Sequence, residues 1–326
     1  MRAVRASSWL ALLMVLALGI YLWVARPVDL QVLWETLKRL PWTLWPLLVG
    51  LSALHYGCRF MRWRGFLGAL GVGVPVGPSV TIYMAGFVPG FAVGKAGELV
   101  RGVYLRPYGL RYTGSAAAVL ADRLHDVVSV GLLACLVLGL LTDQQAWAWS
   151  AVAFCLLLLL VVRSRWVGIG LARLSGGRWA LHAQDGLTDL RRLLSGRQLI
   201  WGLWWSLLAW CAQGLCLWVS LRAVGATMGG LHAVGVYSVG ILAGAVSFIP
   251  GGFGATEAAM VWLLGKQGID TSVALAAALV ARGVPQWVGL AGAALAMLRL
   301  GTEPAPPFER APADIAALAS EAVKPR

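Results

Sequence analysis

The sequence predicts an all-α polytopic integral membrane protein, with about six full spans and two Pro/Gly-broken re-entrant hairpins arranged as an inverted repeat. Three observations predict it. Hydrophobic residues make up 59% of the 326 positions and charged residues only 13%, where soluble chains are nearer half apolar and about a quarter charged. A chain this apolar lacks the polar surface to cover a water-soluble fold, so lipid becomes its main solvent. The apolar runs are continuous rather than alternating, which favours helices over barrel strands. Finally, two of the runs are interrupted in the middle by Pro and Gly. The same composition excludes a disordered chain.

Residues 1–25 open with Arg2 and Arg5 and run apolar from Ser8 to Ala25. A signal peptide begins this way, but no A-x-A site follows and more spans do, so the segment reads as an uncleaved first helix. Further runs lie at about 42–58, 113–141, 145–162, 199–221 and 271–298. Each meets the roughly 17–25 residues that a helical crossing needs.

The two broken stretches are 79–105 and 231–265. The first holds Pro89, Gly90, Gly94, Lys95, Gly97, Glu98 and Arg101; the second holds Pro250, Gly251, Gly252, Gly254 and Glu257. Pro and Gly stop a regular helix, and each half is short for a crossing. Both are therefore expected to enter the membrane and turn back, packed in protein or lining a wet cavity.

The basic segment 163–198 carries Leu187, Leu190, Leu193 and Leu194 at helical spacing and is expected to lie as an amphipathic helix on the membrane. The layout is one membrane domain, 1–300. Its halves, about 42–141 and 199–299, are linked by the span at 145–162 and the segment 163–198. A Pro-rich tail, 301–326, is expected to be flexible and cytoplasmic.

The formal net charge is +13. Loop charge accounts for most of it. With the N-terminus in the cytoplasm, 20 of the 27 Lys and Arg fall on that side, five outside, and Arg123 and Arg282 within spans. The positive-inside rule asks for this excess. It places the protein in the cell inner membrane with both termini cytoplasmic. It also argues against nucleic acid as the partner of the basic residues.

The broken stretches resemble each other: F-V-P-G-F-A-V-G-K-A-G-E at 87–98 and F-I-P-G-G-F-G-A-T-E at 248–257. Each is followed by a long apolar helix bearing an arginine, and Glu98 to Arg123 and Glu257 to Arg282 are both 25 residues. In this layout the first copy enters from the cytoplasm and the second from outside, an inverted repeat with its site at the interface.

Ionisable groups within spans are expensive and face a cavity or a partner. The candidates for substrate contact are Glu98, Arg101, Asp122, Arg123, Asp126, Glu257 and Arg282. Asp122 and Asp126, at i and i+4, share a helix face. The hairpin turns are Pro89, Gly90, Gly94, Gly97, Pro250, Gly251, Gly252 and Gly254. Two readings of the Glu–Arg pairs stay open. They brace each hairpin against its neighbour, or they hold an anionic headgroup, with an arginine fork and turn N–H groups on a phosphate. Arg59, Arg62 and Arg64 are expected at a membrane edge, touching headgroups. His125 beside Asp126 is either a proton relay or polar packing. Trp42, Trp45, Trp147, Trp149, Trp201, Trp204 and Trp205 read as an interfacial belt. The cysteines show no metal pattern, and no cofactor motif or enzyme signature such as G-x-S-x-G, a Walker loop or H-E-x-x-H occurs. No enzyme activity, metal or cofactor is expected.

The motifs V-P-G-F-A-V-G-K-A-G-E-L-V-R-G-V-Y-L (88–105), A-D-R-L-H-D (121–126) and I-P-G-G-F-G-A-T-E (249–257) resemble the membrane domain of lysylphosphatidylglycerol synthases and its stand-alone relatives, over roughly residues 40–300. The resemblance implies a flippase-like domain that moves lipid between leaflets. It marks Glu98, Arg101, Asp122, Arg123, Pro250, Gly251, Gly252, Gly254 and Glu257 as motif positions. The pair Lys95–Ala96 departs from the pattern. The synthases' soluble domain is not seen in this sequence, so lysyl transfer is not implied. The expected function is translocation of a membrane phospholipid or a polyprenyl-phosphate-linked lipid. The alternatives are an accessory protein of a glycosyltransferase or other lipid-modifying enzyme, and a secondary transporter of a small solute.

Overall fold

A computed structural model describes residues 40–87, 98, 101–141, 178–247, 250–252 and 254–302, with isolated positions between 34 and 164. The first apolar segment, the tail beyond 302, and Pro89, Gly90, Gly94, Lys95 and Gly97 lie outside the described residues, as does most of the span expected at 145–162.

Every regular element among the described residues is helical. In chain order these are α1 (Leu44–Ala69), α2 (Val76–Ala85), α3 (Arg101–Leu105), α4 (Tyr112–Leu141), α5 (Arg178–Leu193), α6 (Gly196–Ala223), α7 (Gly230–Val246), α8 (Ala255–Lys266) and α9 (Thr271–Thr302). Short 3₁₀ turns occur at Arg106–Tyr108 and Pro250–Gly252. Thus the order long, short, short, long occurs twice among the described helices, as α1 to α4 and as α6 to α9. Two described helices, Gly196–Ala223 and Thr271–Leu300, are long and apolar enough to cross a membrane. Helix α1 runs eleven residues past the expected end at 58, because Arg59 and Arg62 find partners inside the protein.

The two halves interleave. The longest contact runs between α1 and α6, α4 lies against α7, and α2 lies against α9. Lipid tails are as apolar as leucine, so close packing rather than burial from water holds such helices together. Small residues allow that approach. Ala274, Ala277, Ala278 and Ala281 of α9 pack with Leu217 and Leu221 of α6, Tyr237 of α7 and Met260 of α8. A side chain at Gly214 would run into the backbone of Val234. Large apolar residues instead cover the outside: Leu47, Leu54, Ile200, Trp204, Trp287, Leu295 and Leu298 are exposed, as lipid-facing positions are. Trp42 and Trp149 are also exposed, whereas nothing is described for Trp147.

Helix α5 corrects one expectation. Its apolar stripe does not lie on a membrane surface. Leu187, Leu190, Leu193 and Leu194 are buried, and the last three pack with Ala117, Ala118 and Ala121 of α4 and Phe66 of α1. Arg111 ties the polar side to Asp185 at 2.9 Å and Asp189 at 3.5 Å.

Candidate functional site

The seven candidate side chains fall into two groups, one at each break. At the second break the turn is built by glycine. Gly251, Gly252 and Gly254 have φ of 70°, 65° and 83°, in the left-handed region that side chains disfavour. Gly252 is also pressed against α7: a Cβ there would lie 2.9 Å from Gly244 Cα. Glu257, in the first turn of α8, reaches back to accept from the Gly254 N–H at 2.8 Å. Its other oxygen pairs with Arg282 of α9. Arg282 in turn donates to the Gly251 carbonyl at 2.7 Å. The carboxylate therefore occupies the helix N-terminus, the position where an anion was expected to bind.

At the first break the equivalent pair sits within a larger cluster. Arg123 contacts Glu98 at 3.2 Å, and Glu98 also meets Arg101 at 3.2 Å. The Arg101 Nε–H donates to the Tyr83 carbonyl at 3.1 Å, and its guanidinium stacks 4.4 Å from the Tyr83 ring. Gly86 makes this possible, since a Cβ would overlap the Arg101 side chain.

Asp122 and Asp126 do share one face of α4, and the partners they meet are Arg59 and Arg62 of α1. Arg59 spans both acids at 3.1 and 3.2 Å. Arg62 donates from Nε to Asp122 at 2.9 Å and from Nη1 to Asp126 at 2.8 Å, and it also bonds Ser206 of α6. The Trp210 indole of α6 donates to Asp126 at 3.0 Å. Arg123 closes the network on Asp122 at 2.5 Å and Asp126 at 3.4 Å.

This overturns the placement of Arg59 and Arg62 at a membrane edge. Arg62 is fully buried at 0% exposure and Arg59 at 7%, so neither touches headgroups from the rim. Arg59, Arg62 and Arg101 also leave the tally of loop charge. Only half of the signal for them was local. Two acids one turn apart on a buried face require cations, and Arg59 and Arg62, at i and i+3, match that face. Tyr83, Ser206 and Trp210 carried no such signal. His125 makes no hydrogen bond to the acids among the described residues. Its Nδ1–H donates to the Ala121 carbonyl at 2.7 Å, its ring packs 5.2 Å from Phe66, and Gly202 leaves it room. Among the described residues no group of three His, Cys, Asp or Glu is placed to hold a metal ion.

Interleaved broken helices with a lipid-facing apolar exterior and a buried ionic core define a polytopic membrane protein. A family model, the lysylphosphatidylglycerol synthase TM region, matches residues 8–293, and the chain belongs to that family. The match takes in the first apolar segment, which the motifs at 88–257 did not reach, and it gives the protein a membrane-lipid-related function. A comparison with curated proteins found no match.

Proposed function

We propose that the protein is a lipid translocase that works without ATP hydrolysis, moving a lipid with an anionic headgroup across the cell inner membrane. In this reading both termini are cytoplasmic, the two broken stretches enter from opposite faces as re-entrant hairpins, and the halves form an inverted repeat. The chain performs no covalent chemistry. One observation carries the proposal: seven charged side chains, four of them arginines, are gathered at the first break inside an otherwise apolar helical domain. Buried ionisable groups at membrane depth mark substrate pathways, and arginine forks suit phosphate oxygens. The second break supports the route by holding its turn rigid with Glu257 and Arg282.

The test is scrambling of fluorescent phospholipid in liposomes by purified protein, read by quenching from outside. Wild-type protein is expected to expose the inner-leaflet lipid to quencher. Arg123→Ala, inserted at normal levels, is expected to slow this by at least about tenfold, the loss of one charge-assisted contact. Normal scrambling by both Arg123→Ala and Arg282→Ala would overturn the reading.

A further inference from the structure

The first cluster contains four arginines, at 59, 62, 101 and 123, against three carboxylates, at 98, 122 and 126. One positive charge is therefore uncompensated among the described residues. Several of its donors also lack a hydrogen-bond partner: Arg59 Nε, Arg101 Nη2 and Arg123 Nε, together with the Tyr83 hydroxyl. Arg59, Arg101 and Tyr83 are each more than nine-tenths buried. A buried donor left unmet is rare in a finished fold. Arg59, Arg101 and Tyr83 converge, because all three lie beside one ring. Phe87 lies 4.9 Å from the Arg101 guanidinium, 5.8 Å from that of Arg59 and 5.2 Å from the Tyr83 ring.

We infer that Arg59, Arg101 and Tyr83, with Arg123 at the edge, form a seat for a single negative charge carried on a phosphodiester. The charge count sets the class. A phosphodiester bears one charge and two free oxygens, which match one surplus positive charge and free donors from two guanidinium groups and a phenol. A phosphomonoester approaches two charges at neutral pH, since its second pKa is about 6, and a pyrophosphate carries more. Either would leave charge unbalanced in a low-dielectric site, where that is expensive. The occupant is thus a diester-linked headgroup, as in a glycerophospholipid or a sugar joined to a polyprenyl chain through one phosphate. The Phe87 and Tyr83 rings line the site beside the phosphate. The translocase reading supplies only the route by which such a headgroup arrives; the seat is a claim about binding.

Tyr83→Phe is the cleanest probe. It deletes one oxygen that has no hydrogen-bond partner among the described residues, so thermal stability is expected to stay unchanged while binding weakens. The experiment is calorimetric titration of the full chain in maltoside micelles with dihexanoyl-phosphatidylglycerol, dihexanoyl-phosphatidic acid and dimethyl phosphate. The glycerol diester is expected to bind at least about tenfold tighter than the phosphatidic acid. Tyr83→Phe is expected to weaken the diester by about tenfold and Arg101→Gln by about a hundredfold, as for bonds to a charged group. Dimethyl phosphate competing at millimolar concentration supports recognition of the free anion; failure to compete while the diester lipid binds supports a lipid headgroup. Equal diester binding by wild type, Tyr83→Phe and Arg101→Gln overturns the seat, as does tighter binding of the phosphatidic acid. Should Arg101→Gln fail to fold, Tyr83→Phe alone decides. Diester binding with no scrambling refutes the translocase reading and leaves the seat standing. Scrambling with binding indifferent to both variants does the reverse.

Discussion

At the second break one carboxylate and one guanidinium hold the turn itself: Glu257 caps α8 and pairs with Arg282, which straps the Gly251 carbonyl. At the first break the corresponding Glu98 and Arg123 share their charge with five other ionised groups. The sequence separation is the same in both, so it does not decide the chemistry. The neighbouring long helix does. Helix α1 brings Arg59 and Arg62 to α4, whereas α6 offers α9 Leu217 and Leu221 against alanines. One copy of the plan is ionic and carries surplus donors, and the other is apolar and closed. Two stretches can thus keep the same Glu–Arg spacing while one gathers a network of ionised side chains and the other a single pair.

The largest test of this contrast is Arg62→Met. It leaves two carboxylates on a buried face short of a partner, and breaking such a network costs about 3–5 kcal/mol. Unfolding in detergent followed by tryptophan fluorescence would show it, and a loss below about 1 kcal/mol would mean that the cluster is wetter than the contacts imply. Next is Gly252→Ala. The positive φ and the close Gly244 backbone predict a loss of about 2–3 kcal/mol by the same measurement; tolerance of alanine would show that the second turn is not held rigid. Glu257→Gln keeps an acceptor for the Gly254 N–H but removes the charge facing Arg282. About 1–2 kcal/mol of stability is expected to go, with diester binding at the first break unchanged. Arg111→Ala, at an exposed pair, is expected to cost at most about 0.5 kcal/mol. A larger effect would shift weight from the buried cluster to the α5 contact.

Much of the fold was legible in the sequence because lipid imposes simple rules. Long apolar runs became α4, α6 and α9 within a few residues of their expected ends, and the Pro-Gly-Gly motif fell at a turn whose φ values glycine alone adopts freely. Two things were not legible. A basic amphipathic stripe looks the same whether lipid or protein covers it, so α5 read as a surface helix until Phe66 and the alanines of α4 proved to cover it. Likewise, an arginine near the end of an apolar run reads as an anchor until its partner is known. Asp122 and Asp126 lie 60 and 64 residues from Arg62, and local pattern alone does not pair groups over that distance. The equal spacing of Glu98–Arg123 and Glu257–Arg282 located both contacts, but it could not show that Glu257 would cap its own helix.

The interleaving of the halves has a mechanical consequence. Parting α1 from α6 would break the bond from Arg62 to Ser206, and parting α4 from α6 would break that from Trp210 to Asp126. Two halves laced together in this way do not swing like the covers of a book. The long helices α1, α4 and α6 are thereby tied into one frame, against which the short helices α2 and α7 pack from opposite halves of the chain.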